Sequence, residues 1–472
     1  MTHNAVIMIG HGGIGPGLEF LKIIDEERKL AEKTETQFVD TFFHELDSKE
    51  ATNEGIAELG GTVVPRAVVF DASHQTRVKL KKQIRDQQIP YVRIRDLGLL
   101  TRGSENQWWL GYRIAALQFG PWLENALGSG PSGWENVQNF HIFHSTGGGT
   151  GSGASSYVAE KIRELRPESR ILCYSVLPSA YDDVHGAPPL AHYNTILSLS
   201  TLTGRQRPEF LPDFLRTATT SKKAADQVEL PKVGKRRPAD LIFVFQNEAL
   251  AGVNSLVTRK VSDNLGELNT MIGRYASHVT SCARFPGPPG FDDERDIGDI
   301  VTCLLRKPQP FVMAAAAPIV PEYEKTDDSS VTELVEYALS SIYSLSGRAL
   351  SPGEVDSLYV GARGDVTRDE MGVVVADARS HLGVGKEVKV PFNGCVQPSP
   401  GATRELWLAA NCRSIGHLLG ELTEEAQKEY VAGDHSDLVT VAMEWKELDS
   451  VLTTFQGFAT SIQRGELGRR RS

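Results

Sequence analysis

The run Gly147-Gly-Gly-Thr-Gly-Ser-Gly153 has five glycines in seven residues and decides how the rest of the chain is interpreted. It lies between an apolar segment typical of a strand, residues 140–144, and a helical pattern that begins at Ala154. Glycine lets backbone N–H groups approach an anion closely, and the N-terminus of the following helix adds a favourable dipole. Thr150 and Ser152 add hydroxyl donors. The run predicts a phosphate-binding loop, with a tight turn as the alternative.

The glycine run fits neither of two common nucleotide motifs. No Gly-Lys-Ser/Thr follows it, so it is not a Walker A loop, and its spacing differs from the dinucleotide-binding GxGxxG. A second glycine loop, Gly10-His-Gly-Gly-Ile-Gly-Pro-Gly17, follows the apolar segment 5–9. Because ligands of parallel sheets bind at the carboxyl ends of the strands, two such loops can hold one polyphosphate from both sides.

Short apolar segments alternate with helical patterns through the first half of the chain. Continuous apolar strands separated by helices are typical of a parallel sheet that is covered on both faces. The sequence therefore predicts an α/β fold. The expected strands are residues 5–9, 65–70 (followed by Asp71), 140–144, 171–176 and 241–245.

The sequence pattern changes after about residue 200. Residues 201–240 are polar, and we expect a long excursion that is either a solvated surface loop or a partner-binding element. A long helix is expected at about 262–281, and strands and helices mix from Phe311 onward. A last helix is expected at about 436–456, with one apolar face that packs on the body of the protein.

Composition excludes several classes of protein. The chain has 472 residues, which suggests about two to three domains. Hydrophobic residues make up 40% and charged residues 23%, which excludes a wholly disordered chain, a collagen and a coiled-coil rod. Fifty Lys and Arg against 60 Asp and Glu give a formal charge of −10, so the overall charge gives no indication of nucleic-acid binding.

The apolar segments and cysteines indicate a cytoplasmic protein. The longest apolar stretch, around 311–320, is about half the length that a membrane-spanning helix needs. No basic segment precedes a long apolar run at the N-terminus, so no secretory signal is expected. The five cysteines are widely spaced and odd in number, as is typical of reduced thiols in the cytosol.

At Gly147–Gly153 the sequence resembles the tubulin and FtsZ superfamily signature, and other segments favour tubulin. The tubulin-like segments occur in the order of the family and, with the C-terminal pattern, cover nearly the whole chain apart from residues 201–240. An NAD-dependent enzyme, the remaining interpretation of the glycines, lacks a convincing acidic ribose partner after the first loop. The tubulin-like segments are His144-Ser145, Val64-Pro-Arg-Ala-Val68, Lys161-Ile-Arg-Glu164, Ser175-Val-Leu-Pro-Ser179, Tyr193-Asn194, Gln246-Asn-Glu-Ala249 and Arg284-Phe-Pro-Gly287.

The resemblance implies a parallel-sheet GTPase domain of the tubulin type. It implies a nucleotide-binding domain over 1–260, with an insertion at about 201–240, and a core helix with a catalytic loop over 261–305. An α+β intermediate domain over 306–412 and C-terminal helices with a basic tail over 413–472 would complete the chain.

The activity that the resemblance implies is binding and hydrolysis of GTP with Mg²⁺ by a cytoskeletal protein that polymerises head to tail into protofilaments, as in microtubules. The acidic loop of the next subunit would complete the site. The partner would be a second copy or a second tubulin-like subunit, and no nucleic acid or membrane insertion is expected. Motors that read an acidic tail are not expected partners, because the chain ends Arg469-Arg-Arg471-Ser472.

Site residues carry over from the family one position at a time. Asp71 matches an acidic position near the γ-phosphate and magnesium. Asn247 and Asn269 match the asparagines that read the guanine edge, for which amides offer both a donor and an acceptor. The positions that would hold the nucleotide are Gly10, His11, Gly12, Asn106, Ser145, Gly147, Gly148, Gly149, Thr150, Gly151, Ser152, Gly153, Asn247 and Asn269.

Asp296 and Asp299 match the acidic pair of the family's catalytic loop, and their spacing puts both near one face of a helix start. Asp299 stands where polymerising subunits often carry a catalytic glutamate. A carboxylate there can orient water for in-line attack on the γ-phosphate, although Asp is one methylene shorter than Glu. The alternative is that both aspartates only cap the helix and favour its dipole.

Several residues depart from the family at the base end of the site. His11 and Gly15 replace glutamines near the magnesium and the base. Ala191 replaces a ribose-binding glutamate. Leu265 replaces the aromatic ring that stacks on guanine, and losing such a stack costs about 1–3 kcal/mol. We therefore expect the phosphate end to be better preserved than the base end.

Two further departures lie at the expected polymer interface. The loop from Arg284 to Asp299 is longer than in the family, and the insertion at 201–240 lies near the same surface. Together with the altered base contacts, they favour the second hypothesis: a non-polymerising regulatory or scaffold protein that binds nucleotide with little turnover.

Overall fold

The structure is a computed structural model. It describes residues 2–45, 63–72, 76, 78, 80, 82, 97–99, 104, 106–128, 134–178, 190–205, 230–232, 234, 236–260, 264–287, 296–305, 309–320, 330–340, 343–385, 390–395, 397–432 and 445–467.

A ten-stranded sheet forms the centre of the described structure, in the order β11-β10-β12-β9-β8-β7-β6-β1-β4-β5. From β5 to β9 every neighbouring pair is parallel. β12 runs antiparallel to both β9 and β10, and β2 and β3 form a separate antiparallel pair. The strands are β1 (His3–Ile9), β2 (Phe43–Glu45), β3 (Val63–Pro65), β4 (Ala67–Asp71), β5 (Leu97–Leu99), β6 (Val137–Ser145), β7 (Arg170–Leu177), β8 (Leu241–Gln246), β9 (Phe311–Ala317), β10 (Val355–Gly364), β11 (Phe392–Cys395) and β12 (Arg404–Cys412).

Helices cover both faces of this sheet. Asn264, Asp296, Ser330 and Thr367 each accept a backbone N–H at the start of a helix, as N-cap residues do. The helices are α1 (His11–Thr34), α2 (Trp108–Ile114), α3 (Gly120–Leu127), α4 (Ser155–Leu165), α5 (Ala191–Leu202), α6 (Asn247–Thr258), α7 (Leu265–Thr280), α8 (Ile297–Leu304), α9 (Val331–Leu339), α10 (Arg368–Leu382), α11 (Ile415–Ala432) and α12 (Trp445–Gln463).

The sheet separates two hydrophobic clusters, and most of its strands contribute to both: β1, β4, β6, β7, β8, β9, β10 and β12. In β1, Val6 and Met8 pack toward α1, α6, α7 and α8, whereas Ile7 and Ile9 pack toward the other helices. Burial on both faces explains why these strands are continuously apolar. The predicted α/β class and doubly covered parallel sheet are therefore confirmed.

Two segments predicted from the sequence, the strand at 65–70 and the excursion at 201–240, have different boundaries in the structure. Segment 65–70 is divided between two sheets, because Arg66 interrupts it and donates its N–H to the carbonyl of Phe42. The excursion predicted at 201–240 begins later, because Thr201 is inside α5 and its hydroxyl donates to the carbonyl of Leu197. Residues 206–229, most of the excursion, lie outside the described residues.

The predicted last helix also ends later than expected. α12 continues past Gln456 to Gln463 because Phe458, Ala459 and Ile462 extend its buried face. Its predicted beginning at 436–444 and the basic tail at 469–472 lie outside the described residues.

The strands after α8 extend the first sheet, and the pairing changes from parallel to mixed at β9 and β12. This change falls within the proposed intermediate domain at 306–412, whose boundaries remain a prediction. None of the described helices is long and apolar enough to cross a lipid bilayer.

A buried ionic network joins α1 to the distant half of the sheet. Oε2 of Glu27 lies 2.6 Å from Nη2 of Arg284, and Oε1 lies 2.9 Å from Nη2 of Arg363. The hydroxyl of Ser277 in α7 donates to Oε1 of Glu27 at 2.7 Å. Nε of Arg363 lies 3.7 Å from Oε2 of Glu405 in β12. Burial alone raises the pKa of Glu27, but Arg284 and Arg363 outweigh burial and hold this pKa below its ordinary value.

Glu27→Gln is expected to lower the free energy of unfolding by about 3–5 kcal/mol, because two buried guanidinium groups lose their counter-charge. Urea denaturation followed by circular dichroism measures the change. Glu32→Gln is the control: Glu32 pairs with Arg28 on the same helix, its side chain is 62% exposed, and the expected loss is below about 1 kcal/mol. Equal losses in the two variants would contradict the structural importance of the network.

Candidate functional site

The two glycine loops meet at the carboxyl edge of the parallel sheet. Gly10 follows β1 and the run Gly147–Gly153 follows β6, and these strands are direct neighbours. A Cβ atom placed on Gly10 would lie 2.9 Å from the backbone nitrogen of Gly151. The predicted approach of the loops is therefore present, and it depends on glycine at Gly10, whose φ of 69° also disfavours other residues.

The glycines of the run have two different roles. A Cβ atom added at any of three glycines would overlap a backbone atom. The shortest distances are 2.3 Å at Gly149, 2.4 Å at Gly151 (to the carbonyl oxygen of Ser145) and 1.9 Å at Gly153. These three glycines are required by packing. At Gly148 the nearest atom to an added Cβ is 3.9 Å away, so this residue borders open space. The tight-turn and ligand interpretations therefore apply to different residues of one loop.

The run leads into a helical segment through a wide turn, Thr150–Ala154, which precedes α4. The first N–H groups of such a segment have no partner inside the helix and carry partial positive charge. Ser152 donates its hydroxyl to the carbonyl of Gly148 at 2.7 Å, so this hydroxyl supports the loop. Thr150 is half-buried, and its hydroxyl lies 2.9 Å from that of Ser104.

His144 fastens the glycine run to the sheet. Its Nδ1 lies 3.2 Å from the carbonyl oxygen of Gly151 and 3.0 Å from the hydroxyl of Ser155, and its Nε2 lies 2.7 Å from the hydroxyl of Ser175. Burial lowers the pKa of His144 to about 4, so the ring is neutral at pH 7. Because a carbonyl only accepts, Nδ1 carries the proton and Nε2 accepts from Ser175.

Asn194 of α5 connects three segments around the loop. Its Oδ1 accepts the N–H of Trp108 at 2.8 Å, and its Nδ2 donates to the carbonyls of Asn106 at 2.7 Å and Gly147 at 2.8 Å. In the sequence, Asn194 is only part of one tubulin-like segment, Tyr193-Asn194, and no local pattern indicates its contacts, which are with residues distant along the chain.

The predicted phosphate-side residues lie at the same edge. Asp71 ends β4, beside β1, and Gly10 donates its N–H to the carbonyl of the preceding Phe70. His11 is exposed at the first residue of α1, and a Cβ on Gly12 would lie 2.7 Å from Cβ of Ser145. Asn106 is exposed, and a Cβ on Gly149 would lie 2.7 Å from its carbonyl carbon.

The base end contains the departures that the sequence indicated. A Cβ on Gly15 would lie 2.2 Å from Nδ2 of Asn269, so Gly15 makes room for this amide. Asn247 is exposed at the start of α6, directly after β8. Leu265 is 55% exposed, and the Cβ of Ala191 lies 3.5 Å from a Cβ placed on Gly147. Asn269 therefore lies beside the first glycine loop, Asn247 follows the carboxyl end of β8, and Leu265 presents no ring.

Asp296 and Asp299 lie at the opposite edge of the sheet. Oδ2 of Asp296 is 3.6 Å from Nη1 of Arg170, the first residue of β7, whereas the glycine run follows the far end of the neighbouring strand β6. Eight residues of strand at about 3.3 Å each separate the two edges by roughly 23 Å. The acidic pair therefore cannot reach a ligand held by the glycine loops of its own chain.

The two aspartates form the capping box of α8. Oδ1 of Asp296 accepts the N–H groups of Gly298 at 2.6 Å and Asp299 at 3.3 Å, and Oδ2 of Asp299 accepts the N–H of Asp296 at 3.0 Å. The capping interpretation of these residues is thus part of the structure. The bond to the N–H of Asp296 uses Oδ2 of Asp299, and the residue is exposed.

Backbone N–H groups of the glycine loops suit a polyphosphate, and the carboxylate of Asp71 suits a divalent cation. Among the residues that the structure describes, no three His, Cys, Asp or Glu side chains are close enough to hold a metal by themselves. Mg²⁺, however, takes one or two carboxylates together with substrate phosphates, and Asp71 beside the loops fits that donor set.

Comparisons with known proteins agree with this geometry. Residues 4–206 match the Tubulin/FtsZ family, GTPase domain. A tubulin beta chain of Pyropia yezoensis is 26% identical over 285 residues, which are 60% of this chain and 52% of the relative. The match thus spans about half the length of that curated relative.

Gly151→Ala is expected to lower the free energy of unfolding by about 1–3 kcal/mol, because its Cβ would overlap the carbonyl of Ser145. Gly148→Ala is the matched variant in the same loop, and its stability is expected to change by less than about 1 kcal/mol. Urea denaturation measures both, and equal losses would contradict the division of the run into packing and open glycines.

Proposed function

We propose that this chain, whose residues 4–206 match the GTPase domain of the Tubulin/FtsZ family, binds GTP with Mg²⁺ at the two glycine loops and hydrolyses it when another subunit supplies Asp299. Head-to-tail association would bring the acidic edge of one subunit to the glycine edge of the next. The partner would be a second copy or a second tubulin-like subunit, in a filament of the cytoplasm.

The proposal rests on one observation: the glycine loops and the two aspartates lie at opposite edges of the sheet. The glycine loops and Asp71 lie at the carboxyl edge of the sheet, and the acidic pair lies beside Arg170 at the other edge. A single chain therefore cannot bring its aspartates to its own glycine loops, and a hydrolytic site built from both would need two subunits. Translation of one subunit along the strand direction would join the halves, which is the geometry of a filament.

Asp299 is the better candidate for orienting the attacking water. Both oxygens of Asp296 are engaged, Oδ1 by the cap and Oδ2 beside Arg170, whereas the cap bond uses only Oδ2 of the exposed Asp299. A carboxylate with an accessible oxygen can accept a proton from water. We assign Asp296 the supporting role and Asp299 the catalytic one.

At the phosphate end, N–H groups of Gly147, Gly148 and Gly149 would face the nucleotide across the open space beside Gly148. Asp71 would hold Mg²⁺, which neutralises charge on the phosphates when it is bound. Asn247 and Asn269 would read the guanine edge. Because Leu265 offers no ring for stacking, we expect weaker guanine binding than a stacked site provides.

The second candidate function is a nucleotide-binding regulator that does not polymerise. One observation favours it: the capping box accounts for the presence of both aspartates without any catalytic role. The two functions differ in whether turnover depends on contact between subunits.

Phosphate release from GTP, measured against protein concentration with pelleting in parallel, tests the proposal. We expect turnover per subunit to rise steeply above a critical concentration. Asp299→Asn, which keeps an acceptor for the cap, is expected to assemble normally and lose roughly 100-fold or more in turnover, because its amide is a poor base.

Glu333→Gln is the matched control, because Glu333 occupies the same capping-box position in α9. It should retain wild-type turnover. Turnover that is independent of concentration, or is retained by Asp299→Asn, would contradict the proposal. Binding of a fluorescent GTP analogue without turnover or pelleting would establish the regulator instead.

A further inference from the structure

Arg170 is tied to the first turn of α8 although it belongs to β7. Its Nη1 lies 3.6 Å from Oδ2 of Asp296, with both side chains about one-third exposed. A Cβ placed on Gly298 would lie 2.2 Å from Nη2 of Arg170, so the guanidinium lies directly against the backbone of the helix start. This approach requires glycine at Gly298.

The guanidinium is also held from inside the sheet. Nη1 of Arg170 donates to Oδ1 of Asn139 at 3.4 Å, and Nδ2 of Asn139 donates to Oδ1 of Asn4 at 2.9 Å. Both asparagines are completely buried, in β6 and β1. Arg170 is therefore the outer end of a fixed polar chain, and its position is set by the strands rather than by solvent.

Helix stability does not account for this placement. A cation at a helix N-terminus is opposed by the helix dipole, which favours anions there. The cap carboxylate of Asp296 alone already satisfies the N–H groups of Gly298 and Asp299. Arg170 adds a second contact on Asp296, at Oδ2, whereas the cap bonds use Oδ1.

We propose that Arg170 is a positioning residue for GTP hydrolysis across the subunit interface. It fixes Asp296 from the side opposite the cap, and the capping box transmits that position to Asp299, whose remaining oxygen then faces the nucleotide of the next subunit. This inference rests on the proposed function. It assigns Arg170 an action on the neighbour's nucleotide, and none on the nucleotide of its own chain.

Turnover per pelleted subunit and binding of a fluorescent GTP analogue test this role in wild type, Arg170→Lys and Arg170→Met. Arg170→Met is expected to lose roughly 10- to 100-fold in kcat, because small displacements of a reacting group are costly. Nucleotide affinity and KM should not change, because the loops of the same chain lie at the other edge. Arg170→Lys should recover part of kcat, since it restores the charge.

Arg236→Met is the matched control. Arg236 is similarly exposed, at 39%, and pairs with Asp240 at 3.1 Å without contact to α8. Its kcat should equal that of wild type, and the melting temperatures of Arg170→Met and Arg236→Met should be similar.

The outcomes separate the two proposals. If wild type turns over GTP and Asp299→Asn does not, but Arg170→Met retains wild-type kcat, the inference about Arg170 is wrong and the proposed function stands. A loss of kcat in Arg170→Met with an equal loss of nucleotide affinity, or with no rescue by lysine, would also overturn it. Wild-type turnover that does not depend on Asp299 would overturn both.

Discussion

The buried pairing of Glu27 with Arg284 and Arg363 is the interaction on which the arrangement of the site depends. α1 begins at the first glycine loop and carries Glu27 near its other end, while Arg284 follows the short turn at the end of α7. Arg363 brings in β10 of the mixed part of the sheet. One carboxylate thus connects α1, which begins at the first glycine loop, to Arg284 after α7 and to Arg363 in β10. Such a buried group tolerates loss of its partners poorly.

The parallel sheet then places the chemistry at two separate edges. Strand direction alone brings Asp71, Gly10 and the run after β6 together, because all of them follow carboxyl ends of neighbouring strands. The same rule sends Arg170 and the residues that contact it to the other edge. The sheet therefore brings the two glycine loops together and keeps Asp296 and Asp299 of the same chain away from them.

The sequence was sufficient for the strands, the glycine loops and the α/β class, because continuous apolar segments and glycine clusters are local signals. It was insufficient where tertiary contacts decide. Nothing local shows that Gly149 and Gly153 serve packing while Gly148 is open, since that depends on the segment at 106–112. The contacts of Asn194 and Arg170 cannot be predicted from the sequence, because their partners are distant along the chain. The sequence predicts too early a start for the excursion and too early an end for the last helix. In both places polar neighbours surround a side chain that is buried, Leu202 and Ile462.

The central claim is that one subunit completes the site of another, and mixing two defective variants tests it most directly. Asp299→Asn keeps the glycine loops, and Gly148→Leu, whose side chain would occupy the open space beside the loop, keeps the acidic edge. Each variant alone should release little phosphate from GTP. A mixture should recover turnover, because the acid of the second variant reaches the nucleotide of the first. Co-pelleting of the two variants without turnover above the sum of the separate proteins would contradict the account.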